Sequence, residues 1–172
     1  MAEYSLNTIL KSITKSSGKK RLLYNFGPLG GLNSTIVTLL FFSIPFIEFA
    51  ALFNPYSFAY LGIAQSVIFY IIFASMLMIL VTGLIFAMNS NLVRKIQPSW
   101  EEHFPGRDIH VVLSSGVTPY SKFFEYYSSI LKEDLDEVSL HKSLLLALEK
   151  MEEENKELCE AMKINRNLQE IH

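Results

Sequence analysis

From Tyr60 to Met88 the chain reads YLGIAQSVIFYIIFASMLMILVTGLIFAM, 29 residues without a single charge. A helix of that composition has no polar face to turn toward water. A spanning helix needs about 20 apolar residues to cross roughly 30 Å of hydrocarbon, so this run crosses with length to spare. A second run, Thr35–Phe53, reads TIVTLLFFSIPFIEFAALF, carries one charge, Glu48, and just reaches. Asn54-Pro55-Tyr56-Ser57-Phe58-Ala59 joins them. It is uncharged, turn-like and too short for anything but an antiparallel return. The expectation is an all-α membrane protein: a two-helix transmembrane hairpin followed by a small helical cytoplasmic domain. Two buried soluble helices are the competing reading, and the missing polar face argues against it.

Charge is segregated along the chain. Residues 1–107 hold eight Lys/Arg and four acids, and residues 108–172 hold seven Lys/Arg and thirteen acids. Lys11, Lys15, Lys19, Lys20 and Arg21 precede the first run, and Arg94, Lys95 and Arg107 follow the second. Basic residues near membrane ends are retained on the cytoplasmic side, which puts both termini there. A cleaved signal peptide is not expected, because more than thirty residues precede an apolar run that itself contains Pro45 and Glu48. The single cysteine, Cys159, can form no internal disulfide, which suits a reducing compartment. The organisation read from these shifts is an amphipathic N-terminal helix and basic linker (1–31), the hairpin (32–88), a juxtamembrane linker (89–118) and an acidic helical domain (119–172).

The spans carry polar positions that a plain anchor does not need. Pro45 removes a backbone hydrogen bond and is expected to kink the first helix. Glu48 lies one turn beyond it; a carboxylate in hydrocarbon is costly, so it should face protein or water or sit near the interface. Gln65, Ser66, Ser75, Thr82 and Gly83 supply small and polar positions that let helices approach closely, within one hairpin or between subunits.

Outside the hairpin, Leu6, Ile9, Leu10 and Ile13 recur at helical spacing behind Ser5, a candidate N-cap. Such a helix fits the cytoplasmic leaflet or the face of the soluble domain, and the leaflet is the preferred reading. Trp100 is placed near the interface by its distance from the second run. Ile109–Leu113 is a β-like apolar run. Thr118-Pro119 has the form of an N-cap and first helical residue, opening a helix over about Tyr120 to Lys132. From Ser139 a longer helix is expected to run to the chain end, with an apolar stripe of Leu140, Leu144, Leu148, Met151, Leu158 and Met162. Asn155 and Asn165 make that stripe more polar toward its end, and either coiled-coil assembly or intramolecular packing would use it.

Catalytic motifs are sparse. The sequence holds no P-loop, cysteine pair, nucleophile elbow or zincin helix. Glu101, Glu102, His103, Asp108 and His110 are of metal-ligating types at a spacing that matches no known site, so neither a metal nor a cofactor is expected. The remaining candidate is the C-terminal Arg166-Asn167-Leu168-Gln169-Glu170-Ile171-His172. It resembles the Arg-x(4–6)-His motif of HEPN domains, helical modules that often act as metal-independent ribonucleases. The resemblance implies that His172 transfers a proton while Arg166 stabilises charge on the scissile phosphate. The acidic surroundings disfavour a long RNA, since phosphate binding rests on Lys and Arg.

Hairpin and motif together resemble the small membrane accessory proteins encoded beside RNA-targeting type VI-B CRISPR effectors. That resemblance implies a multimeric pore in a bacterial inner membrane, functionally coupled to an RNA-guided effector and strengthening antiviral defence. Members of the family can lack nuclease activity, in which case Arg166 and His172 serve assembly. The function expected is thus a homo-oligomeric pore or permeability effector, not an enzyme. The alternatives are a non-catalytic subunit of a larger membrane complex and a membrane-tethered ribonuclease.

Overall fold

The computed structural model describes residues 3–133 and 135–169, with side chains through Met162. They are mostly helical, in the order α1 (Leu6–Ile13), α2 (Ser34–Leu52), α3 (Pro55–His103), α4 (Ile109–Leu113), α5 (Phe123–Ile130), α6 (Glu137–Glu154) and α7 (Lys156–Gln169). Among the described residues there is no strand; one isolated antiparallel bridge pairs Thr14 with Lys20. The chain forms two compact units. One combines residues 1–21 with residues 93–172, and the other is the intervening segment Leu22–Leu92.

The Leu22–Leu92 unit is built on α2 and the apolar part of α3, both long and apolar enough to cross a membrane. Their side chains have almost no cover from the chain itself: Phe46 is 74% exposed, Met78 71% and Phe86 77%. Asn54 joins the two helices. Its Oδ1 accepts from the Tyr56 and Ser57 amides, both at 3.0 Å, and caps α3 with Pro55 in the first helical position. Its Nδ2 lies 2.7 Å from the Ala51 carbonyl and 3.2 Å from that of Ala50, taking up acceptors that the end of α2 leaves open. Beside it Tyr70 packs edge-on against Phe49 and Phe53, with ring centroids 6.0 and 5.8 Å apart. Farther along, α3 is interrupted at Gly62, whose φ of 75° and ψ of 163° belong to a region open in practice only to glycine.

At the other end of this unit, Asn89 of α3 holds the strand of chain that leads to α2. Its Nδ2 donates to the Leu22 carbonyl at 2.7 Å, and its Oδ1 accepts from the Tyr24 amide at 2.8 Å. Asn25 then accepts from the Gly27 and Ser34 amides at 3.1 and 3.0 Å, fixing the turn into the first residue of α2.

In the discontinuous unit, α1 is capped by Ser5, whose hydroxyl accepts from the Thr8 amide, as its sequence predicts. Its apolar face is another matter. Leu6, Ile9, Leu10 and Ile13 have zero exposure and α1 packs against α6, so this face is covered by protein and not by the leaflet. Burying four such side chains contributes about 6–12 kcal/mol before entropy is counted. An eight-residue helix forms little structure alone, and this packing is what holds it. Tyr4 extends the attachment by donating its amide to Ser99 Oγ of α3 at 3.1 Å.

Trp100 is likewise a core residue, not an interfacial one. It is 1% exposed, lies tilted against Phe104 and edge-on to Phe123, and donates its indole N–H to the Arg107 carbonyl at 2.8 Å. The helix carrying it continues to His103, through the stretch read as a juxtamembrane linker. Ile109–Leu113 is a short helix and not a strand, because Asp108 caps it by accepting from the His110 amide at 2.8 Å. The helix expected from Tyr120 starts at Phe123 and passes into a single 3-10 turn over Leu131–Glu133. The long C-terminal helix is broken at Asn155 into α6 and α7. Leu140, Leu144, Leu148 and Met151 nevertheless form the buried stripe that their spacing predicts.

Candidate functional site

Three hydroxyls noted above as small polar positions of the second apolar run are engaged within their own helix. Ser66 donates to the Gly62 carbonyl at 3.0 Å, Ser75 to Ile71 at 2.7 Å and Thr82 to Met78 at 2.8 Å. Each bond spans four residues and spends the only donor that the side chain has. Ser66 is fully buried, while Ser75 and Thr82 are exposed. Gln65 is exposed on the far side of the Gly62 break; its Oε1 would lie 3.0 Å from a Cβ placed on that glycine.

Glu48 differs from these. One carboxylate oxygen, Oε1, is shut off from solvent and has no hydrogen-bond partner among the described residues. Buried polar atoms are normally paired, so an orphaned acceptor on an apolar helix marks a place where a donor from elsewhere would be stabilising.

The discontinuous unit holds two polar clusters among the described residues. Arg107 grips Glu152 with two parallel bonds, Nε to Oε1 at 2.7 Å and Nη2 to Oε2 at 3.0 Å. The Tyr120 hydroxyl donates to the same Oε1 at 2.7 Å. The bond to Glu152 raises the Arg107 pKa. Burial, and then the adjacent carboxylate, push the Tyr120 phenol well above its usual value. A fork-to-carboxylate pair with a third donor fixes side chains firmly and leaves no group poised for proton transfer.

A second cluster links His141 Nε2 to the His103 carbonyl at 2.8 Å and His103 Nε2 to the Tyr4 carbonyl at 3.3 Å. It ties α6, α3 and the approach to α1. Of the metal-ligating types noted in the sequence, Glu101, Glu102 and His110 are exposed, and no group of three or more such residues converges on one point among the described residues.

His172 lies outside the described residues. Arg166 lies on α7, with its side chain outside them, so the Arg-x(4–6)-His resemblance gains no geometry here. Sequence reasoning missed the asparagines that fasten the apolar unit. The signal for Asn54 was its place before a proline, an N-cap position as well as a turn one. Asn89 carried no comparable signal, because its partners are backbone groups more than sixty residues away. No protein-family model, curated protein or solved structure matches the chain.

Proposed function

We propose that the chain is a two-span membrane protein with both flanks on one side of the bilayer, whose hairpins assemble into a permeability-changing oligomer. The observation that carries this reading is the discontinuous unit. Residues 1–21 and 93–172 fold together, with the two uncovered apolar helices inserted between them. A folded polar domain cannot be divided by a bilayer, so the inserted segment must cross an even number of times. Two runs of spanning length meet that requirement. The tie from Asn89 to Leu22 and Tyr24 at one end, and the Asn54 junction at the other, support an antiparallel hairpin. Basic residues flanking both runs favour the cytoplasmic side.

One hairpin encloses no water; a ring of hairpins does. The uncovered apolar faces give copies of the chain surface to meet on, and the orphaned Glu48 oxygen accepts a donor from a neighbouring copy or from water in a central path. The polar helical unit then controls assembly or opening. The resemblance to membrane accessory proteins of type VI-B CRISPR systems supplies the biological setting, antiviral defence coupled to an RNA-guided effector.

The bonding of Ser66, Ser75 and Thr82 to their own helices favours a second reading, a non-catalytic subunit of a larger membrane complex, since it leaves few donors to line a path. Mass measurement of the detergent-extracted chain together with dye release from vesicles tests the proposal. A ring-sized homo-oligomer that makes vesicles leak is expected. A monomer that leaves them sealed removes the pore, and stable co-purification with unrelated chains favours the subunit.

A further inference from the structure

We infer that the outward face of α6 docks on the same face of a second copy of the chain, with the two helices antiparallel, so that Lys142 of each copy meets Glu149 of the other. This rests on the oligomer proposed above and names a contact between its polar units.

The two sides of α6 differ. One carries the buried leucine stripe, and the helix packs against α1 and α5. At about 3.6 residues per turn, Val138, Lys142, Leu145, Leu146, Glu149 and Glu153 fall within one sector of roughly 100° on the opposite side. There the apolar side chains lack cover: Val138 is 76% exposed and Leu146 57%. Other charges of the helix are engaged inside the chain, Glu152 by Arg107, and Lys150 by Glu154 and the Tyr126 ring. Lys142 and Glu149 form no salt bridge among the described residues, and Glu149 is the least of the charges acting on Arg107.

The order of charge along this face selects its occupant. Helix α6 spans Glu137–Glu154, so its midpoint falls between Leu145 and Leu146. A two-fold axis through that point sets Leu145 against the other copy's Leu146, Lys142 against its Glu149, and Val138 against the methylenes of its Glu153. Each copy then supplies one cation and one anion at complementary positions, and the leucines fill the centre. A parallel pairing would set Lys142 against Lys142 and Glu149 against Glu149, and like charges repel. One helix face is a small interface beside the roughly 1,000 Å² that a stable complex buries. Copies already joined through their apolar helices meet at high effective concentration, and at that concentration so small a contact forms.

The test uses the full chain in membranes, with Cys159→Ser removing the native thiol and Leu146→Cys placing one beside the axis. A short bis-maleimide should link two copies through residue 146, and Ser129→Cys, at an exposed site on α5, should link far less. Lys142→Glu or Glu149→Lys alone should cut the yield severalfold, and the two together should restore it. Both residues are exposed, and unchanged Trp100 emission shows that the variants keep their fold. Undiminished linking in the single variants overturns the pairing, as does failure of the double variant to restore it. Equal linking from Ser129→Cys overturns it too. Linking of residue 146 to an unrelated chain, or its labelling by a photoactivatable lipid instead, assigns the face to another occupant and also overturns it. A ring-sized mass in detergent without any link through residue 146 sinks this contact alone, whereas a monomer removes the oligomer reading as well.

Discussion

Arg107 and Glu152, forty-five residues apart, meet through two parallel hydrogen bonds of 2.7 and 3.0 Å. The pair joins the turn after α3 to the last turn of α6, and the Tyr120 hydroxyl closes the cluster from a third segment. Glu152→Ala strips three donor groups, on two side chains, of their acceptor at once and should lower stability by about 1–3 kcal/mol, discounted for the partial exposure of the carboxylate. Tyr120→Phe should cost about 1 kcal/mol. Denaturant unfolding of the detergent-solubilised chain, followed by Trp100 fluorescence, measures both. If Arg107→Ala and Glu152→Ala prove strictly additive, the two residues do not act as a pair.

Trp100 is the only tryptophan, so its emission reports its surroundings without ambiguity. Enclosed by Phe104 and Phe123, it should emit at short wavelength and resist quenching by brominated lipids. Strong lipid quenching would mean that the ring lies in the interface after all. Trp100→Ala should cost about 3–5 kcal/mol, and Trp100→Phe less, chiefly through the unpaired Arg107 carbonyl.

Gly18 and Gly106 share a left-handed backbone, φ 78° and 74°, in different surroundings. A Cβ on Gly18 would stand 2.6 Å from Ser128 Cα, whereas one on Gly106 meets nothing within 4 Å. Gly106→Ala therefore carries only the conformational penalty, about 1–2 kcal/mol. Gly18→Ala adds a backbone clash of about 1–3 kcal/mol. Comparable midpoints for the two variants would contradict the close approach of residues 15–19 to α5.

Alkali should lower the stability of the chain over a defined window. Burial pushes the Tyr24 phenol from 10.0 to about 12. The folded state thus prefers the neutral phenol, and that contribution is complete below pH 10. It is lost between pH 10 and 12, as the unfolded chain releases the proton that the folded one keeps. Tyr120 acts in the same direction. Tyr24→Phe should flatten the fall in stability over this range, as read by unfolding midpoints at successive pH values.

Much of the architecture was legible because it follows from local chemistry. An uncharged run longer than a bilayer is thick, a serine before an apolar helix and a leucine stripe every four residues each point to one local outcome. What escaped depends on distant partners. The face of Leu6, Ile9, Leu10 and Ile13 reads the same whether lipid or α6 covers it. Trp100 near the end of a long apolar run looks interfacial until Phe123 is folded over it. Ile109–Leu113 is too short for periodicity to decide between helix and strand, and the Asp108 cap is what decides it. Among the candidate site residues, Glu48 stood out as the costly one, and its orphaned oxygen keeps it so. The hydroxyl positions of the second apolar run were visible as small polar sites, but their bonds back to the i−4 carbonyl were not.

The placing of Leu22–Leu92 between two parts of one compact unit imposes an order on biogenesis. Helix α1 leaves the ribosome early, yet α6, which covers it, follows well over a hundred residues later. At about 5–20 residues per second, its greasy side stays uncovered for roughly 6–30 s while both long apolar helices are being made. The nascent chain must carry that sticky helix unclaimed until α6 is made, so the first helix to be synthesised is among the last to find its cover.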